Sequence, residues 1–242
     1  MRTEVYGDPT NYEAKYALVV YGKKSGYGNG SDPAFVTAHH ISITDKGPVM
    51  EAGVLADKTA LKKLVKQVNP KAVEKPELLH PRTLAKGDGF HLWWLPPGPQ
   101  RVWFNTEEVG GKRNGVTPQP GLVFLLTKDV WQVFAVKGSK RPDGESLLYR
   151  APYLNVYVTG NICEGTANLP KGKAACLPEA WETPFFESEF THTNYHGVKP
   201  VAYKGGIYAL WKDLLDGKFK KFPEKVLTKH GHTLQALLDK IA

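Results

Sequence analysis

The sequence has few of the features that define several large protein classes. It contains only two cysteines among 242 residues, Cys163 and Cys176, so a scaffold of several disulfides and a zinc site of four cysteines are both excluded. Its longest apolar runs, such as residues 16–21 and 122–126, are far shorter than the ~20 residues that span a bilayer. The N-terminus lacks the apolar core of a signal peptide, so we expect a soluble, cytoplasmic protein without a membrane partner.

The composition is globular, with a moderate basic excess. Hydrophobic residues make up 41% of the chain and charged residues 23%, which argues against general disorder. Lysine and arginine number 32 against 24 acidic residues, which gives a net charge of +8. This excess suits nucleic acid or an acidic protein partner. Arginines, which read bases by bidentate contacts, are sparse in the lysine-rich segment from residue 199, so the support for nucleic acid is weak.

Hydropathy patterns predict strands first and helices later. Segments rich in β-branched and aromatic residues predict an N-terminal β-hairpin over residues 12–22 and 35–44, joined by a glycine-rich loop. Apolar stripes at helical spacing predict one helix after Asp57, which serves as N-cap, and two more over residues 207–214 and 234–241. Further strands are predicted over residues 89–95, 101–105, 122–126, 130–136 and 147–158.

The order of these elements predicts an α+β fold. Short connectors favour antiparallel neighbours, so the central strands should form an antiparallel β-meander flanked by helices. We expect a single domain, with the N-terminal hairpin extension over residues 1–56 and the core over residues 57–242. The glycine-rich loop completes neither a dinucleotide-binding pattern nor a P-loop, so we expect no cofactor.

Cys163 stands where a predicted strand ends and a long irregular loop, residues 161–179, begins. A thiol that carries an acyl group needs access, thiolate character and a hydrogen-bond donor for the oxyanion. Asn155, eight residues earlier, supplies that donor if the intervening Thr-Gly-Asn turn folds it back. The same residues also fit a small buried cysteine and a turn-forming asparagine, so the local pattern leaves both interpretations open.

Two histidines follow the loop and allow three interpretations. His192 is a candidate base near Cys163, deprotonating the thiol or an incoming amine. Cys163, Cys176, His192 and His196 together are a candidate zinc set, but the twelve-residue gap between the cysteines is too long for the usual knuckle, and we expect no metal. The third interpretation is a histidine that is hydrogen-bonded within a turn.

The segment around Cys163 resembles the active-site motif of ubiquitin-conjugating enzymes. That family carries His-Pro-Asn, a glycine and Ile-Cys, with the asparagine eight residues before the cysteine. Here Asn155, Gly160, Ile162 and Cys163 agree in identity and spacing. The segment Trp181-Glu182-Thr183-Pro184 is similar to the family's Trp-x-Pro element with one extra residue.

Nearly the whole chain also resembles the B proteins of the PRTRC systems of bacterial plasmids and mobile elements, which are classed with prokaryotic ubiquitin-conjugating-like (UBC-like) proteins. These resemblances imply a UBC-like fold whose core spans residues 57–242. The segments that carry the second resemblance are residues 36–40, 92–96, 101–104, 162–165 and 185–192.

The resemblance implies a thioester relay. A ThiF-like activating enzyme would load a small ubiquitin-like protein onto Cys163, and an amine would then attack while Asn155 steadies the oxyanion. A JAB-type peptidase is a further implied partner. The sequence departs from the family where Tyr153-Leu154 replaces His-Pro and where Glu164 follows the cysteine, because a neighbouring carboxylate disfavours a thiolate.

Three other functions stay open at this point. One is a non-catalytic UBC-fold binding module in a plasmid-encoded complex, and another is a nucleic-acid-binding accessory protein. The third is a cysteine hydrolase that uses Cys163 and His192 without ATP.

Overall fold

The computed structural model describes residues 14–22, 33–68, 78–87, 89–165, 167–170 and 177–241. Residues 1–77 form one compact unit and residues 78–242 another, whereas the sequence-based division lay between residues 56 and 57. That the chain is a single domain stays a prediction. Most of the predicted glycine-rich loop, residues 23–32, lies outside the described residues, as does Cys176.

The N-terminal unit contains an antiparallel sheet and one helix. Its described elements are β1 (Tyr16–Gly22), β2 (Pro33–Thr44), β3 (Gly47–Met50), β4 (Val54–Leu55) and α1 (Lys58–Val68). Strand β2 pairs with each of the other three, and its pairing with β1 confirms the predicted hairpin. The Asp57 carboxylate accepts a hydrogen bond from the Ala60 amide at 2.7 Å, which confirms Asp57 as the cap of α1.

The C-terminal unit is built mainly from two sheets. A six-stranded antiparallel sheet has the order β13-β11-β10-β9-β6-β5, and a smaller sheet has the order β12-β7-β8. The described elements are β5 (Thr83–Gly87), β6 (Phe90–Leu95), β7 (Gly98–Thr106), β8 (Gly111–Gln119), β9 (Gly121–Thr127), β10 (Trp131–Val136), β11 (Leu147–Arg150), α2 (Pro178–Glu187), β12 (Glu189–Phe190), α3 (Gly206–Leu215), β13 (Lys229–Thr233) and α4 (Leu234–Leu238).

Mostly antiparallel pairing confirms the predicted α+β class, with one difference in the meander. Strand β6 pairs directly with β9, so the β7–β8 hairpin between them leaves the main sheet. The smaller sheet that β7 and β8 form also takes up β12, which pairs with β7 in parallel.

Both faces of the six-stranded sheet are buried. Side chains alternate along a strand, so Leu92 and Trp93 of β6 point to opposite faces. Trp93 packs into a core with Phe185 of α2 and Trp211 of α3, whereas Leu92 packs into a second core with Leu234 of α4. The chain after β11 passes through the first core and then forms backbone hydrogen bonds with the beginning of β10, where the predicted site lies.

No helix in the described ranges combines the length and apolar character needed to cross a membrane.

Candidate active site

The chain from Asn155 to Cys163 folds back on itself as a tight hairpin. The backbone amide of Cys163 donates to the Asn155 carbonyl at 2.8 Å, and that of Tyr157 donates to the Asn161 carbonyl at 2.9 Å. The turn needs Gly160, because its φ of 89° is left-handed and an added Cβ would lie 2.5 Å from a buried phenylalanine ring. The eight-residue spacing is therefore the span of a hairpin with Asn155 opposite Cys163.

The pairing also fixes which side chains share a face. Val156 and Ile162 pair with each other and are buried in the core. Because side chains alternate along each arm, Asn155 and Cys163 lie together on the opposite face. Directly opposed residues have Cβ atoms roughly 4.5–5.5 Å apart, so the carboxamide and the thiol are cross-strand neighbours. The Cys163 side chain is partly exposed, which meets the first requirement of a reactive thiol.

The returning arm of the hairpin is anchored to the main sheet. The Ile162 amide donates to the Trp131 carbonyl at 2.8 Å, and the Val133 amide donates to the Gly160 carbonyl at 2.9 Å. The arm therefore pairs with the beginning of β10 before the chain enters the loop that follows Cys163. A rigid sheet, rather than a loop, sets the position of the thiol.

The Asn155 carboxamide is held by the segment that follows α2. Its Nδ2 donates to the Glu189 carbonyl at 3.0 Å, and its Oδ1 accepts from the Thr191 amide at 3.3 Å. These two bonds fix the orientation of the side chain. Because Nδ2 carries two hydrogens, the bond to Glu189 uses one and the group retains a second donor.

Tyr157 is a site residue that the sequence analysis missed. Hydrogen bonding to the Cys163 side chain and the charge of its thiolate both raise the pKa of Tyr157 above its usual value. A signal was present in the sequence, because Tyr157 is two residues beyond Asn155 in an extended arm and so shares its face. The thiol on the returning arm therefore lies beside two polar side chains of the outgoing arm.

His192 comes directly after Thr191, which contacts Asn155, but the hydrogen bond that the structure shows for its side chain is not to Cys163. It is exposed, and its Nδ1 lies 2.9 Å from the Thr191 hydroxyl. Thr191 contacts Asn155 through its backbone, so His192 follows directly after the segment that holds the carboxamide. Its role as a base toward Cys163 stays a prediction.

The described residues contain no group of three or more His, Cys, Asp or Glu side chains that could hold a metal ion. The candidate zinc set includes Cys176, which is outside the described part of the chain.

Comparison with known proteins adds a family relationship. Residues 60–230 match the family model described as prokaryotic E2 family D. The match covers more than half of the chain and includes Asn155, Cys163 and His192. No curated protein and no solved structure matches the chain.

Proposed function

The chain belongs to prokaryotic E2 family D, and from this premise we propose that it carries a ubiquitin-like protein as a thioester on Cys163 and transfers it to an amine. The observation that supports this proposal is the hairpin that sets a partly exposed thiol opposite the Asn155 carboxamide. Access and a nearby hydrogen-bond donor are two requirements of an acyl-carrying thiol.

The proposed reaction has two steps. In the first, the Cys163 thiol loses its proton and attacks the C-terminal carbonyl of the ubiquitin-like protein, which a ThiF-like enzyme has activated with ATP. The bond between that carbonyl and its activating group, AMP or a cysteine sulfur of the activating enzyme, breaks, the group leaves, the thiol's proton passes to solvent, and a thioester forms on Cys163. In the second step an amine attacks the thioester carbonyl, the Cys163 thiolate leaves, and the amine's surplus proton passes to a base. We assign that base to His192.

Two side chains would assist the sulfur. Each attack turns the carbonyl oxygen into an oxyanion, and the second N–H of Asn155 is the donor proposed to stabilise it. The Tyr157 hydroxyl, whose pKa Cys163 raises, would hold the thiol on the outward face of the hairpin by a hydrogen bond. Both assignments follow from the shared face of these residues.

The cellular setting is a further part of the proposal. The likeness to PRTRC B proteins supports a cytoplasmic role in a bacterial mobile-element system, next to a ThiF-like activating enzyme and a small ubiquitin-like protein. A JAB-type peptidase would remove the attached protein. These partners are inferred from the resemblance and not from a contact in the structure.

The two cysteines of the sequence allow a matched test of the thioester. The purified chain is incubated with the activating enzyme, the ubiquitin-like protein and ATP, and the products are separated with and without a thiol reductant. We expect an ATP-dependent adduct that the reductant removes, that Cys163→Ala abolishes and that Cys176→Ala retains. An equal adduct on Cys163→Ala, or none on the wild type, would overturn the proposal.

A non-catalytic docking module is the second candidate function. The observation that favours it is that both polar atoms of Asn155 are already bonded to backbone groups. Such a module would bind the ubiquitin-like protein without forming any adduct, so the same incubation separates the two functions.

The nucleic-acid alternative rests on the net charge of +8 and predicts an affinity that falls steeply with salt.

A further inference from the structure

A cleft of about 890 Å³ lies in the C-terminal unit, beside the turn of the cysteine hairpin. This volume falls in the roughly 300–1,000 Å³ range of small-molecule sites. Val158, Thr159 and Asn161 of the turn form part of its wall, and apolar side chains such as Leu125, Phe134 and Leu237 form another part. The cleft therefore has room for a ligand and an apolar surface for the ligand's body.

The charges that line the cleft are mostly positive. Arg150, Lys128 and Lys240 line it, against a single carboxylate, Asp129, among the described residues. His230 and His232 line it as well. The Lys240 ammonium donates a hydrogen bond to Nε2 of His232 at 2.9 Å. The cleft thus carries a surplus of hydrogen-bond donors and positive charge.

Arg150 has donor capacity that the described residues do not use. Its Nη1 donates to the Lys229 carbonyl at 2.8 Å, which joins β11 to β13. Its Nε is buried without a hydrogen-bond partner, and the guanidinium makes no ion pair with any described carboxylate. A buried donor without a partner is costly, and a half-buried cation normally has a counter-charge.

His230 carries a second buried polar atom without a hydrogen-bond partner in the described part of this cleft. Its ring packs edge-on against Phe134, and its Nδ1 is buried without a partner in the described structure. Burial lowers the pKa of His230 below its usual value, the neighbouring His232, Arg150 and Lys240 side chains lower it further, and a hydrogen bond with the Val158 backbone opposes the shift. An anion in the cleft would give Arg150 a counter-charge and would favour the protonated form of His230.

We propose that this cleft binds a small phosphomonoester, with the phosphoryl group at Arg150 and His230 and an apolar or aromatic body against Phe134 and Leu237. A phosphoryl dianion matches several cations that approach from different strands, whereas a carboxylate carries one charge on two oxygens. Protonated His230 donates from Nδ1, so binding carries a proton with it. This site is independent of the thioester chemistry and is tested without any conjugation partner.

Phenyl phosphate is the probe, and titration calorimetry at pH 7 is the measurement. We expect saturable binding of phenyl phosphate, with phenyl sulfate, which has the same shape and one charge fewer, binding at least tenfold more weakly. Arg150→Gln should weaken phenyl phosphate binding at least tenfold. The matched control is Arg101→Gln, which removes the same charge outside the cleft and should leave the affinity within twofold.

Two further readouts keep the test decisive if Arg150→Gln folds poorly. Lys240→Gln alters an exposed residue at the rim and should weaken binding several-fold in a normally folded protein. The His230 imidazole, followed by NMR, should show a higher pKa with phenyl phosphate bound than without it. The inference is overturned if phenyl phosphate does not bind, if Lys240→Gln and Arg101→Gln bind it equally well, or if the pKa of His230 does not rise.

Discussion

The side chain of Asn155 is tied to the backbone of Glu189, whose carbonyl oxygen accepts a 3.0 Å hydrogen bond from Nδ2. This bond joins the cysteine hairpin to the strand that follows α2, across 34 residues of sequence. The Thr191 amide adds a second bond to the same carboxamide. Asn155 therefore has a structural role whatever its part in catalysis, and a useful variant must separate the two.

Asn155→Asp removes the amide donor and keeps an acceptor of nearly the same size. The new carboxylate would face the Glu189 carbonyl and lose that bond, so we expect the free energy of unfolding to fall by about 1–3 kcal/mol in urea titrations. If the second N–H also stabilises the oxyanion, single-turnover transfer from Cys163 to an amine should fall roughly 10²–10³-fold.

Glu189→Gln is the control for that variant, because it leaves the backbone carbonyl in place and changes only an exposed side chain. It should alter the transfer rate less than about twofold. Loss of stability in Asn155→Asp without a slower transfer would show that Asn155 acts only in holding the hairpin.

The contact between Tyr157 and Cys163 predicts a shift in the titration of the phenol. The hydrogen bond to Cys163 favours the protonated phenol, and a thiolate nearby disfavours the phenolate, so both effects raise the pKa of Tyr157. Cys163→Ala removes both effects. The pKa of Tyr157 should then fall toward the ordinary tyrosine value of about 10.

NMR of protein labelled at tyrosine Cζ measures this shift, and Tyr157→Phe identifies the resonance. Tyr195 is an internal control, because burial raises its pKa and its hydroxyl donates to the Ala151 carbonyl, away from Cys163. An unchanged titration of Tyr157 in Cys163→Ala would show that the phenol does not bond to the thiol in solution.

The sequence predicted the strands and helices whose apolar residues follow a strand or helix pattern. The apolar run over residues 122–126 is strand β9, and the stripe over residues 207–214 is helix α3, followed by Gly217 with a φ of 74°. Strand β8 was missed, because its sequence holds glycines, charges and Pro118 with little apolar alternation. Its strand conformation depends on pairing with β7 rather than on its own residues.

Helix α2 was missed for a different reason. The predicted loop ran to residue 179, yet the helix begins at Pro178 and continues through Pro184, a residue that usually ends helices. Trp181 and Phe185 lie four residues apart and both enter the core, which is the spacing that favours a helix. Tertiary burial of these rings outweighs the proline.

For the candidate site, too, local sequence indicated some features and not others. The local pattern allowed Asn155 to approach Cys163 if the intervening turn folded back, and the structure shows one hairpin that contains both residues. The bonds from Asn155 to Glu189 and Thr191 join segments that are far apart in sequence, and no local pattern encodes them. The sequence therefore offered the pair as one of two interpretations, and it did not predict the contacts that orient the carboxamide.

A buried carboxylate links α2 to the main sheet and predicts a large loss of stability on its removal. Glu182 is 8% exposed and accepts a 2.9 Å hydrogen bond from the Trp93 indole and another at 2.5 Å from Arg82. Glu182→Leu leaves both donors without that acceptor, so we expect a loss of about 3–5 kcal/mol of unfolding free energy.

Glu179→Gln is the matched control, since Glu179 also pairs with Arg82 but is largely exposed. Exposed ion pairs contribute little, so this variant should cost less than about 1 kcal/mol in the same urea titration. Similar losses in the two variants would contradict the view that burial makes the Glu182 contacts important.

The buried histidines predict that the protein becomes less stable in mild acid. Burial lowers the pKa of His91 below the ordinary value of 6.5, and the positive charge of Lys86 lowers it further. Burial likewise lowers the pKa of His230. The unfolded chain therefore binds more protons than the folded one, so the free energy of unfolding is highest above about pH 6.5 and falls as the pH drops below that value.

Urea unfolding at pH 7.5 and pH 5, in buffers without phosphate so that the cleft around His230 stays free of that anion, measures this fall. His91→Gln can keep a hydrogen bond to the Thr83 hydroxyl, which lies 2.9 Å from the native imidazole, but it no longer titrates. Its stability should fall less between the two pH values than that of the wild type. His196→Gln replaces an exposed imidazole rather than a buried one, so it should follow the wild type. Stability that stays level or rises toward pH 5 in the wild type would mean that other groups, and not these imidazoles, dominate proton uptake on unfolding.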